Sequence, residues 1–265
     1  MSGARRIWPA EWERHDATWI AWPHHEPDWP GKLGAIPWVY AEIVRALHRH
    51  EQVEILCHDE SVRRDAERIL DSHGVDHDRY RLHIVPTDRV WLRDSAPTFA
   101  WNDGRVELIN WRFNGWSKYD NYHRDEKVGE AVERLTGLPR TMAKRADDGS
   151  WMVLEGGGIE TDGAGTMLVT EEWLLSDVQV RNPGMTREAY ESAFAEYLGI
   201  TTTIWLGNGL KSWYCFYSIL HSYKFFRSCQ ITTEAAGIAG TMNIPARCVR
   251  TINSRGIRLL TVLKG

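Results

Sequence analysis

Apolar residues recur along the first 210 positions with two alternating periods. Val39, Ile43, Val44 and Leu47 fall at helical spacing within VYAEIVRALHRH, and the run 53–57 (VEILC) that follows predicts a short strand. Val62, Ala66, Ile69 and Leu70 mark a second helix ended by Gly74, and 81–85 (RLHIV) predicts a strand closed by Pro86. Segments 98–101 and 105–110 flank Asn102-Asp103-Gly104, the pattern of a hairpin with an Asp-Gly turn. Val128, Val132 and Leu135 form another helical stripe that stops at Gly137. Segments 152–154 and 166–170 read as strands around the turn 162–165. Thr186 is placed to cap a helix over 187–198, whose apolar face is Tyr190, Phe194, Tyr197 and Leu198. Gly199 ends it, and 202–206 (TTIWL) is the next strand. Single helices interleaved with strands and hairpins predict an α/β or α+β fold of repeated small units, although no strong repeat is visible in the sequence itself.

Composition narrows the function classes. The chain has 265 residues, enough for a substantial core, with 43% hydrophobic and 26% charged residues. A net charge of −4 gives no basic field for nucleic acid. Uncharged windows such as 212–223 fall short of the ~20 residues of a membrane span. The start, MSGARRIWPAEWERHD, lacks the apolar run of a signal peptide, so the expectation is the cytoplasm or else a mature fragment. Cys57, Cys215, Cys229 and Cys248 show neither metal spacing nor a disulfide framework. Charge is split unevenly: residues 1–210 carry net −11 and residues 211–265 net +7. Thirteen of the 14 tryptophans precede residue 210 and three of the four cysteines follow it. A boundary is therefore expected near 209–211, dividing 1–210 from an atypical tail, 211–265, that begins KSWYCFYSILHSYKFFRSCQ and has no clean period.

Three segments could carry chemistry. PTDRVWLRDSAP (86–97) places Arg93 and Asp94 at an expected strand end between two prolines; its structural reading is a turn in which Asp94 accepts backbone N–H groups. LEGGGIETDGAG (154–165) sets Glu155 before three glycines; it reads structurally as a glycine-rich turn, and no G-K-[ST] follows to make a phosphate cradle. NWRFNGWSKYDNYHRDEKV (110–128) crowds Trp111, Trp116 and Tyr119 into a loop, which is either satellite packing or an aromatic wall. Two carboxylates with tryptophans beside them suit a planar cation. A guanidinium offers five donors in a rigid fork and stays charged at any usable pH.

The runs PTDRVWLRDSAP, FNGWSKYDNY, LEGGGIETDGAGTMLVTEEWLL, RNPGMTREAYE and IWLGNG, in this order from about Trp8 to Gly209, resemble the agmatine deiminase family. This family is also called Porphyromonas-type peptidylarginine deiminase, within the guanidino-group-modifying superfamily. The resemblance implies a pentein-type α/β propeller of pseudo-repeated ββαβ units around a central site. It implies hydrolysis of agmatine to N-carbamoylputrescine and ammonia in putrescine synthesis, with no cofactor and with a homodimer among the assemblies open to it. Asp94 and Glu155 match the family's two substrate-clamping carboxylates, and Trp91 and Trp116 lie where pocket walls are implied. The implied chemistry is attack of a cysteine thiolate on the guanidinium carbon, with a histidine as general acid and then general base.

After WLGNG the pattern departs. The family's His-x-Asp pair and its terminal His-Cys segment have no counterpart in LKSWYCFYSILHSYKFF or beyond, His221 is the one histidine there, and no cysteine is assigned as nucleophile. Ala96 stands where the family prefers Gly, a change of little consequence if its φ is negative. The expectation is a propeller incomplete at its C-terminus, as a truncated or frameshifted reading would leave it, with impaired turnover. A non-catalytic guanidinium- or polyamine-binding protein and a peptidyl-arginine deiminase are the alternatives. A Trp-rich carbohydrate binder is disfavoured because its aromatics would have to form an exposed platform.

Overall fold

The computed structural model describes residues 6–207. The calls on residues 208–265, including the boundary, the tail and three of the cysteines, lie outside the described residues.

Ten strands form three sheets. The first contains β2 (Ala17–Ala21), β3 (Gln52–Cys57) and β4 (Tyr80–Ile84), all parallel, with crossover helices α1 (Ile36–Leu47) and α2 (Glu60–Ser72). Asp59 caps α2 by accepting the Val62 amide at 2.9 Å. The expected stripe of α2 packs with Ala41 and Val44 of α1 over Val53, Ile55 and Cys57 of β3. As a central parallel strand, β3 is covered on both faces, which is why its run is continuous rather than alternating.

The other two sheets repeat one another. In the second, β5 (Thr98–Asn102) and β6 (Arg105–Asn110) make the expected hairpin, α4 (Val128–Thr136) follows, and β7 (Arg140–Met142) returns parallel to β6, while β1 (Arg6–Ile7) pairs with the far side of β5. In the third, β8 (Glu160–Thr161) and β9 (Thr166–Thr170) pair antiparallel, α6 (Arg187–Leu198) crosses over, and β10 (Thr202–Leu206) returns parallel to β9. Each is a ββαβ unit, so the repeat that the sequence conceals is explicit in the topology. Asp103 and Gly104 have φ of 49° and 80°, the two left-handed residues that a type I′ hairpin turn demands.

Two expectations need correction. Segment 152–154 is not a strand: Val153 makes an isolated bridge to Arg112, and Trp151, just before the segment, makes another to Lys144. The Asn182 side chain takes the place of a neighbouring strand there, its Oδ1 accepting the Val153 N–H and its Nδ2 donating to the Val153 carbonyl, both at 2.8 Å. Asp94 does not end a strand. It lies in α3 (Leu92–Ser95), a single turn entered through Trp91, whose carbonyl accepts the Asp94 amide at 3.1 Å. Ala96 leaves that turn with φ −79°, so the missing glycine costs nothing.

Candidate functional site

The two candidate carboxylates occupy equivalent stations in consecutive ββαβ units. Asp94 sits on α3, directly ahead of the β5–β6 hairpin; Glu155 heads the one-turn 3-10 helix Gly156–Gly158, directly ahead of β8–β9. Each accepts an indole N–H from the strand-to-helix connection of its own unit. Trp116 Nε1, between β6 and α4, donates to Asp94 Oδ2 at 3.2 Å. Trp173 Nε1, on α5 (Glu171–Leu174) between β9 and α6, donates to Glu155 Oε2 at 3.0 Å.

Of the remaining oxygens, that of Asp94 is bonded from the next unit and that of Glu155 from within its own. Gly157 N–H donates to Asp94 Oδ1 at 2.8 Å, and Arg181 Nε donates to Glu155 Oε1 at 3.0 Å. Arg93, beside Asp94, donates to the carbonyls of Gly156 and Ile159 and pairs with Glu11. Arg93 thus anchors the glycine turn against α3.

Both carboxylates are buried, with 4% and 2% exposure. Burial, followed by the charge of Glu155, pushes the Asp94 carboxyl up to about 7. Burial also raises the Glu155 carboxyl, opposed by the Arg181 guanidinium. Two acids in one low-dielectric space resist ionising together, and a cation between them removes the conflict. Each of the four oxygens accepts an N–H from the chain, and the Glu155 carboxylate also accepts from its own backbone amide; a carboxylate oxygen can accept more than one donor.

The tryptophans divide by role. Trp116 is buried and held in a left-handed conformation, φ 61°, between Gly115 at 62° and Ser117 at 52°. The strain is held in place by Asn114 Oδ1, which accepts Ser117 N–H, and by Ser117 Oγ, which donates to the Val180 carbonyl. Trp91 is half-buried and its ring lies 5.9 Å from that of Trp29. Trp111 belongs to the third-sheet core and donates to Thr98 Oγ1, so the packing reading holds for it.

Three partners escaped sequence reasoning. Trp173 and Arg181 reach Glu155 from 18 and 26 positions along the chain, a pairing with no local signal. Arg89, inside PTDRVWLRDSAP, is buried, donates to Asp28 Oδ1 at 3.2 Å and to Asn121, and lies 4.4 Å over the Tyr119 ring. It joins the loop carrying Trp29 to the loop carrying Trp116.

Cys57 is the cysteine among the described residues. It is buried in β3 with its thiol pushed up to about 12, the reverse of an activated nucleophile. Among the described residues no group of three or more His, Cys, Asp or Glu is arranged to hold a metal ion, and no helix is long and apolar enough to cross a membrane.

Comparison with known proteins agrees with this architecture. Agmatine deiminase of Ectopseudomonas mendocina is 34% identical over 208 residues, covering 76% of this chain and 53% of the relative. Agmatine deiminase of Pseudomonas aeruginosa strain LESB58 is 33% identical over 208 residues, covering the same shares, 76% and 53%. Among solved structures, agmatine deiminase of Enterococcus faecalis superposes with a TM-score of 0.66 at 27% identity, over 77% of this chain and 54% of that one. The chain thus spans about half the length of the curated relatives it matches, and its units are those of the pentein-type α/β propeller expected from the resemblance. The Porphyromonas-type peptidyl-arginine deiminase family matches over residues 7–235, past the boundary expected near 209–211. With most of its length covered by that match, the chain belongs to the Porphyromonas-type peptidyl-arginine deiminase family.

Proposed function

We propose that this chain is an agmatine deiminase-like protein that binds agmatine through Asp94 and Glu155, with hydrolysis impaired. The observation that carries the reading is the pair of buried carboxylates set at matching stations of two units, where burial first and the Glu155 charge second lift Asp94 to about 7. A guanidinium is flat, permanently charged and dense in donors. Four carboxylate oxygens, each able to accept more than one donor, suit it better than a compact ammonium. Trp116 and Trp91 would flank the alkyl stem. The relatives' name, agmatine deiminase, supports agmatine over peptidyl-arginine.

The impairment is proposed because a deiminase of the expected kind needs a thiolate at the guanidinium carbon, no cysteine stands in the family's sequence context, and Cys57, the cysteine among the described residues, is buried and hard to ionise. Loss of the nucleophile in a covalent mechanism removes on the order of 10⁶-fold in rate. The guanidinium- or polyamine-binding alternative is what the same clamp becomes when chemistry is lost altogether.

Calorimetry with agmatine, paired with an ammonia-release assay, tests both parts. Saturable binding that is lost in Asp94→Asn and in Glu155→Gln is expected, with ammonia release near background. Absence of agmatine binding overturns the assignment. Rapid ammonia release abolished by iodoacetamide overturns the impairment and leaves the assignment standing.

A further inference from the structure

A polar cavity adjoins the clamp through Arg181, the guanidinium partner of Glu155. Its volume is about 280 Å³, and its walls come from the connection after β6, the bridged segment 145–153 and residues 181–183. Three of its lining residues are arginines, Arg112, Arg145 and Arg181; Tyr122 and Ser150 add hydroxyls, and no carboxylate lines it. The acids that pair with the arginines approach from outside the lining: Glu126 for Arg112, Asp147 and Asp148 for Arg145, and Glu155 for Arg181.

The arginines are not equally engaged. Arg145 is engaged through all three nitrogens, with Nε and Nη2 on Asp147 and Nη1 on the Pro183 carbonyl. Arg181 uses Nε on Glu155 and Nη1 on the Gln179 carbonyl. Its Nη2 is buried without an acceptor, on a side chain only 2% exposed. A buried guanidinium N–H lacking an acceptor carries a full desolvation penalty, which an anionic oxygen would remove. Arg112 is half exposed and reaches Glu126 through Nε alone, at 3.4 Å, with its terminal nitrogens left for a ligand.

We propose that this cavity is a binding site for a phosphate group. Donors from Arg112, Tyr122, Ser150 and Arg181 come from separate segments of chain, which lets them approach an oxyanion from several sides. The volume exceeds that of free phosphate, and Trp151, 44% exposed, lines the cavity where the body of a phosphate ester would lie. The site shares Arg181 with the clamp through Glu155, but Arg112, Tyr122 and Ser150 have no hydrogen bond to either clamp carboxylate, so a variant at Arg112 tests the phosphate site apart from the guanidinium assignment.

Titration of the full-length chain with inorganic phosphate and with phenyl phosphate at low ionic strength, followed by calorimetry, tests the site. Saturable binding in the millimolar range or tighter is expected, weakened about tenfold or more in Arg112→Gln, in keeping with loss of charge-assisted hydrogen bonds. Arg112 is partly exposed, so the variant should melt at the wild-type temperature, which separates loss of binding from loss of fold. Tighter binding of phenyl phosphate points to an ester, and exclusion of it points to the free ion. No saturable binding of either probe overturns the proposal. So does equal binding by wild type and Arg112→Gln, which would place the anion elsewhere on the chain.

Discussion

Glycines 156, 157 and 158 are each required by a different neighbour. A Cβ on Gly156 would stand 2.2 Å from the Arg93 carbonyl, one on Gly157 2.6 Å from Asp94 Oδ1, and one on Gly158 2.3 Å from the Trp173 ring. The triple glycine thus lets Glu155 sit against α3 and against its own indole donor at once. Gly157→Ala should push the Asp94 carboxylate off its amide donor and weaken agmatine binding at least tenfold, readable by calorimetry. Gly158→Ala should instead lower stability by about 1–3 kcal/mol through overpacking against Trp173, readable by urea denaturation. At Trp116 the ring and its N–H are separable: Trp116→Phe keeps an aromatic wall but leaves Asp94 Oδ2 without its donor. Its expected cost to agmatine affinity is about 1–2 kcal/mol, with the Asp94 carboxyl titrating higher still, as carboxyl-carbon NMR would show.

At the scale of elements, two helices end alike and pack differently. Gly137 after α4 and Gly199 after α6 both have φ 69°. A Cβ on Gly137 meets nothing within 4 Å, whereas one on Gly199 would lie 1.9 Å from the Arg6 carbonyl of β1. Gly137→Ala should cost about 1 kcal/mol, the left-handed penalty alone. Gly199→Ala should cost at least about 2 kcal/mol more in urea denaturation, because β1 must move. Equal costs would show that β1 is not held by this contact. The helices with these stops, the hairpin and the strands 53–57 and 166–170 were legible because periodicity, caps and turn glycines are local signals. Strands β1, β7 and β8 were not, being two or three residues long and defined by their partners. Segment 152–154 misled for a related reason: its apolar pattern is that of a strand, but the side chain of Asn182, far along the chain, takes up its hydrogen bonds. Asp94 and Glu155 could be singled out from proline and glycine beside them, while Trp173 and Arg181 became visible only once the chain had folded.

For the whole molecule, the buried acids set a pH dependence of definite sign. Asp94 is held up at about 7 by burial and by Glu155, and Asp125 at about 7 by burial, opposed by the Asp88 and Arg89 amides that it accepts. Asp28, Glu155 and Glu160 are raised as well, each chiefly by burial. An unfolded aspartate releases its proton near ~3.9, so between there and 7 the folded chain holds protons that the unfolded chain has lost. The stability contributed by such a group is fully present below the unfolded value and is lost as pH rises through the folded one, with a slope approaching ~1.4 kcal/mol per pH unit for each acid. Agmatine reverses the sign for the clamp, since a guanidinium favours the ionised form of both carboxylates. Binding below pH 7 should therefore release protons, and affinity should climb with pH and level off above about 7. Urea denaturation at pH 5.5 and pH 8 should find the free wild-type chain less stable at the higher pH and Asp94→Asn less sensitive to the change. Calorimetry at pH 6 in buffers of different ionisation enthalpy should count the released proton. A wild-type profile as flat as that of Asp94→Asn, with no proton released, would mean that Asp94 is already ionised in the free chain, and the conflict between the two buried acids would lose its role in selecting a cation.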